Sequence, residues 1–195
     1  MNKTRLEAFS DAVIAIIMTI MVLELKVPHG ENSATFEALS PLVWTFVAYV
    51  LSFIYLGIYW NNHHHMLQAT RKVNGKILWA NMHLLFWLSL VPFATAWMGE
   101  NHFAPLPTSI YGVLLLICAV SYTILQTTIV KHDKHENDLL AEAIGGDLKG
   151  KISMVCYLTA IPLAFVHQAI AGALYAIVAL IWLVPDRRIE RKINA

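Results

Sequence analysis

Leu42–Trp60 reads LVWTFVAYVLSFIYLGIYW, nineteen residues without a charge. As a helix rising 1.5 Å per residue it spans about 28 Å, close to the ~30 Å hydrocarbon core of a bilayer. Ile110–Val130 is a second charge-free run of similar length. Working outward, 57% of the 195 residues are hydrophobic and only 14% are charged. A soluble domain carries about 25% charged residues, so this chain lacks the polar material to coat a water-facing surface. It reads as an all-α integral membrane protein.

Six segments suit membrane helices, at about 5–27, 41–61, 76–99, 108–130, 151–167 and 169–185, forming one bundle and one domain over 1–195. Pro28 closes the first, Ser40-Pro41 opens the second and Pro107-Thr108 opens the fourth. Pro92 and Pro162 fall inside spans three and five, where membrane helices tolerate kinks. Asp138–Ile144, in the longest polar linker, reads as a short surface helix ended by Gly145-Gly146. The first apolar run lacks the charge pattern and cleavage site of a secretory leader and reads as a retained helix.

Of the fourteen lysines and arginines, only Lys26 falls on one side of the six-span arrangement; the other thirteen share the opposite side. The positive-inside rule then places both termini in the cytoplasm, as an even number of spans requires, in the cell membrane. Glu24, Glu31, Glu37 and Glu100 fall on the outer side, where they would attract cations weakly. With a net charge of +1, nothing points to nucleic acid. Cys118 and Cys156 both lie in apolar segments and read as small packing residues.

The first helix is the unusual one. Between Asp11 and Glu24 it has only twelve uncharged residues, about 18 Å of helix. A lipid-facing helix would not tolerate Arg5, Glu7, Asp11 and Glu24 so close to its apolar centre, so protein and water should surround it. At about 100° per residue, Ala12, Ile16, Thr19, Ile20 and Leu23 form one stripe, while Ser10 and Asp11 point away from it. Ordinary helix packing and a functional lining both fit that pattern. Asp11 needs a partner, and Arg5, Asn62, His64 and His65 stand at the same end; titration of such a cluster is the functional alternative to structural pairing.

The run Arg5-Leu6-Glu7-Ala8-Phe9-Ser10-Asp11 resembles the R-x-x-x-F-S-D signature of the endosomal/lysosomal potassium channel family (transmembrane protein 175). The likeness continues through Ala12–Leu23, Tyr59-Trp60-Asn61-Asn62-His63-His64-His65, Trp79-Ala80-Asn81, Leu84-Leu85-Phe86 and Val91-Pro92-Phe93. It implies a prokaryotic single-repeat member: a homotetramer around a central pore lined by helix 1, without a pore-loop filter. The resemblance further implies that Ile16 forms the apolar constriction, that Thr19 contributes to potassium preference and that Ile20 and Leu23 continue the wall. It assigns Arg5, Phe9, Ser10 and Asp11 to holding the pore helix in place. The expected function is a modestly potassium-selective cation channel with a hydrophobic gate, K+ as permeant ion and no cofactor, whose partners are the lipid bilayer and its own copies.

An enzyme is not expected. Adjacent histidines on a helix point about 100° apart, so His63, His64 and His65 cannot share one metal, even with His132 and His135 nearby. No G-x-S-x-G is present. The rival functions are a small secondary transporter and a proton-conducting channel. A carrier would show broken helices and midplane charges, whereas Asn81 and His83 are the strongly polar groups deep in a later span and read as interhelical hydrogen-bonding residues. Ala169, Gly172, Ala173 and Ala176 read as a close-packing stripe. Trp44, Trp60, Trp79, Trp97 and Trp182 read as interfacial anchors.

Overall fold

The structure is a computed structural model that describes residues 2–30, 33–70, 72–133 and 147–183. The expected surface helix at Asp138–Ile144 lies outside the described residues. The described helices are α1 (Lys3–Ile20), α2 (Phe36–Leu39), α3 (Val43–Ala69), α4 (Gly75–Leu88), α5 (Val91–Glu100), α6 (Pro105–Asp133), α7 (Leu148–Leu163) and α8 (Gln168–Leu183).

Among the described residues four helical runs are long and apolar enough to cross a bilayer: Lys3–Glu24, Phe36–Ala69, Gly75–Glu100 and Pro105–His132. The fifth and sixth are shorter, with sixteen residues each in α7 and α8. They fold as a helical hairpin on α6. No strand occurs among the described residues.

Local chemistry sets the ends. Asn2 caps α1 by accepting from Thr4 N, Asn74 caps α4 through Ile77 N, and Asp147 caps α7 through Gly150 N. Pro41 does not start the second span, because a short helical run from Phe36 leads into it. At its other end α3 continues to Ala69, so the histidine run 63–65 is helical. The third span bends at Ser89-Leu90, where Pro92 cannot supply a backbone donor and α5 restarts. After α5, His102 and Phe103 take left-handed φ of 49° and 59°, and Phe103 N returns to Met98 O at 2.9 Å. This closes the helix before Pro105 opens α6.

Buried polar side chains tie the helices together where an unpaired group would be costly. Tyr55 Oη donates to Tyr175 O at 2.6 Å, and Tyr175 Oη to Thr108 O at 3.0 Å. Thr95 Oγ1 donates to Ser52 Oγ at 2.7 Å, and Ser52 pairs with Tyr111 Oη at 2.9 Å. Helix α5 comes close to the α3 backbone at Gly99, where an added Cβ would lie 2.6 Å from Thr45 Cα. The small-residue stripe expected in α8 does not face the rest of the chain: Ala169, Ala173 and Ala176 are exposed, and Ala171, Tyr175, Val178 and Ala179 are buried instead.

Candidate ion-conducting face

α1 packs against α3, α4 and α5. Its inward side is Leu6, Ser10, Ile14, Ile17 and, on the following 3-10 turn, Met21, all buried. The spacing of four, four, three and four is one helical stripe.

The opposite side is bare in the single chain. Ile16 is 58% exposed, Ile20 42% and Leu23 72%; Ala12 and Thr19 are exposed as well. The five residues that periodicity grouped therefore share one uncovered face. Thr19 Oγ1 donates to Ala15 O at 2.9 Å and to Ile16 O at 3.0 Å. Its hydrogen is thus turned to its own backbone, leaving the oxygen lone pairs outward.

The inward face is held by a three-residue chain. Ser10 Oγ donates to Leu6 O at 2.8 Å and accepts from Asn81 Nδ2 at 2.9 Å. Asn81 Oδ1 meets His63 Nε2 at 2.6 Å. Ser10 and Asn81 are wholly buried and His63 nearly so. With the Asn81 amide hydrogens directed at Ser10, its Oδ1 is the acceptor, so His63 Nε2 carries the hydrogen. His63 Nδ1 is buried with no partner among the described residues.

Asp11 finds a partner other than the four expected. Its Oδ1 accepts from Trp60 Nε1 at 3.1 Å. Trp60 in turn stacks on His64 at 6.1 Å, and His64 meets His65 edge-on at 5.7 Å. Asn62 Nδ2 donates to Ile58 O within its own helix. At the end of a span Trp60 reads as an interfacial anchor, and its indole N–H serves here as a carboxylate donor. The two residues stand on different helices forty-nine positions apart, so no local spacing signals the contact.

Arg5 and Phe9 of the signature lie exposed, whereas Ser10 and Asp11 hydrogen-bond to neighbouring helices. Lys3 adds a tie, donating to Gln68 O at 2.6 Å. Among the described residues His83 bonds within its own helix, accepting from Trp87 Nε1 at 3.0 Å, one turn on. At the other end of α1, Lys26 pairs with Glu100 at 2.9 Å. The hydrogen bond and charge of Glu100 raise Lys26 above its ordinary range. No group of three or more His, Cys, Asp or Glu able to hold a metal occurs among the described residues.

These features define an all-helical polytopic membrane protein whose first helix is locked on one side and uncovered on the other. The sequence profile of "Endosomal/lysosomal potassium channel TMEM175" matches residues 5–92, which contain that helix and everything it packs against up to the start of α5. A potassium channel of a Chryseobacterium strain is 54% identical over 194 residues, covering 100% of this chain and 99% of the relative. The crystal structure of a lysosomal potassium-selective channel TMEM175 homolog from Chamaesiphon minutus superposes with a TM-score of 0.79 at 27% identity, covering 94% of this chain and 97% of that one. An endosomal/lysosomal proton channel TMEM175 of Danio rerio is 27% identical over 148 residues, 73% of this chain and 27% of the relative. The chain belongs to the TMEM175 channel family, a family of ion channels and not of enzymes.

Proposed function

We propose that the chain is a potassium channel of the cell membrane that assembles as a homotetramer with both termini in the cytoplasm, its pore lined by Ala12, Ile16, Thr19, Ile20 and Leu23 of each copy. The observation that carries this reading is the division of α1. One face is committed to the core, while the face opposite is uncovered along the helix from Ala12 to Leu23. Four such faces meeting on an axis give an apolar ring at Ile16, with a hydroxyl ring one turn away at Thr19.

An apolar constriction gates by dewetting, so a small change in radius switches it between wet and dry. The Thr19 oxygens replace part of an ion's hydration shell. They select K+ over Na+ because K+ loses its water more readily, and less sharply than stacked carbonyl rings do. The Ser10–Asn81–His63 chain and the Asp11–Trp60 bond hold each α1 at a set rotation, so the ring radius is reproducible from subunit to subunit.

The test is planar-bilayer recording of reconstituted protein under opposed K+ and Na+ gradients. Unitary currents reversing toward the K+ equilibrium potential are expected. Flux without unitary events would replace the channel with a carrier. Currents that follow only a proton gradient would make it a proton channel, as the name of the Danio rerio relative describes that protein.

A further inference from the structure

A cavity of about 50 Å³ lies between α3, α6, α7 and α8, and its lining includes no residue of α1. A water needs roughly 10–15 Å³ by such a measure, so the space takes a group of a few heavy atoms. Its walls are largely aromatic, with Tyr59 from α3, Tyr122 from α6, Tyr157 from α7 and Trp182 from α8. Polar character comes from Asn62 and from the carboxylate of Asp147.

Several donors among the lining groups are already committed. Tyr122 Oη donates to Asn62 O at 3.3 Å, and Asn62 Nδ2 to Ile58 O at 2.8 Å. Thr123 Oγ1 donates to Ala119 O at 2.9 Å. Trp182 Nε1 donates to Ser153 Oγ at 2.9 Å, and Ser153 Oγ to Lys149 O at 2.8 Å. What remains includes the lone pairs of the lining oxygens and the ring faces. Asp147 uses Oδ1 to cap Gly150 N at 2.8 Å, and its second oxygen is not needed for that bond.

We propose that this cavity is a binding site for a small primary alkylammonium ion, separate from the permeation face. Such an ion supplies the N–H donors and positive charge that Asp147, Asn62 Oδ1 and the tyrosine oxygens accept, and its short apolar part rests on the rings. An anion would meet the Asp147 carboxylate as a like charge. The aromatic cluster already receives one cation at its rim, since Lys149 Nζ lies 5.8 Å from the centre of the Trp182 ring. The inorganic ions K+ and Na+ match the carboxylate but gain nothing from the apolar part of the walls.

The full-length protein in detergent tests this through its thermal unfolding midpoint during titration with methylammonium chloride, with KCl and NaCl at equal ionic strength as references. A saturable rise beyond both references is expected, with ethylammonium similar and tetrabutylammonium without effect. Asp147→Asn removes the charge but keeps a side chain that caps helices as well as aspartate does; it should weaken the apparent affinity about tenfold or more. Ala119→Leu, which fills the cavity from α6, should abolish the response, and Ile16→Asn should leave it unchanged. The proposal is overturned if methylammonium gives no saturable rise or if KCl gives the same rise. It fails equally if tetrabutylammonium matches methylammonium, if Ile16→Asn alone removes the effect, or if the two cavity variants respond like the parent. Because the readout is stability, its failure is separable from failure of the channel reading.

Discussion

Asn81 of α4 donates to Ser10 of α1 across 2.9 Å in a fully buried setting, and the same amide group receives His63 of α3 at 2.6 Å. One side chain thus fixes the rotation of the first helix against two others. The Ser10 hydroxyl lies on the side of α1 away from Ile16 and Thr19, so this contact aims the uncovered face without being part of it.

Replacing Asn81 with Leu removes both contacts and leaves the His63 ring nitrogen without its acceptor. Buried interhelical hydrogen bonds in membranes average about 0.6 kcal/mol and reach about 1.7. A loss of about 1–2 kcal/mol is expected, with Ser10→Ala costing less because His63–Asn81 survives. Detergent unfolding of both variants measures the difference. Equal, negligible losses would show that the chain does not hold α1.

The Ile16 and Thr19 rings separate gating from selectivity. Ile16→Asn should raise unitary conductance several-fold by wetting the constriction. Thr19→Ala should lower the K+ to Na+ permeability ratio while conductance changes less. Single-channel recording under bi-ionic conditions reads both; unchanged currents and selectivity would mean that the lining is misassigned.

Water and lipid are distinguishable at this face by thiol chemistry. In a background carrying Cys156→Ala, with Cys118 left in place because it is buried, cysteines at Thr19 and Leu23 should react with charged methanethiosulfonate reagents. Cysteines at Ile14 and Ile17, both buried, should not. Thiolates form in water and not in acyl chains, so modification at the second pair, or at neither pair, contradicts an aqueous face.

Gly99 lies where α5 crosses α3, with Thr45 Cα 2.6 Å and Ala48 Cβ 3.3 Å from any added Cβ. Gly99→Val should force the two helices apart and cost about 1–3 kcal/mol, the usual price of overpacking. Gly172→Val, which meets nothing within 4 Å in the chain, should cost much less by the same unfolding assay.

Much of the fold was legible because lipid admits so few solutions. Charge-free runs such as Leu42–Trp60 had to be helices, since every backbone group must pair within its own segment. The stripe from Ala12 to Leu23 was legible from 100° periodicity, and the signature from Arg5 to Asp11 located the family. The bend at Ser89-Leu90 was only half legible, as Pro92 marks a missing donor but not where the chain turns. The partner of Asp11 was not legible. Trp60 is forty-nine positions away on another helix, and only the packing of α3 against α1 brings its indole to the carboxylate. The α8 stripe misled, because small residues at helical spacing permit close approach without saying to what.

The amino-acid sequence alone determined that this chain lives in a membrane as helices, and that its first helix has two unlike faces. Hydrophobicity and periodicity are local properties, carried by each segment itself. Which face of α1 turns inward, which indole meets Asp11 and which amide joins Ser10 to His63 were decided only by tertiary packing. Those contacts link residues far apart in the chain, and their geometry depends on helix crossings and rotations that no single segment encodes.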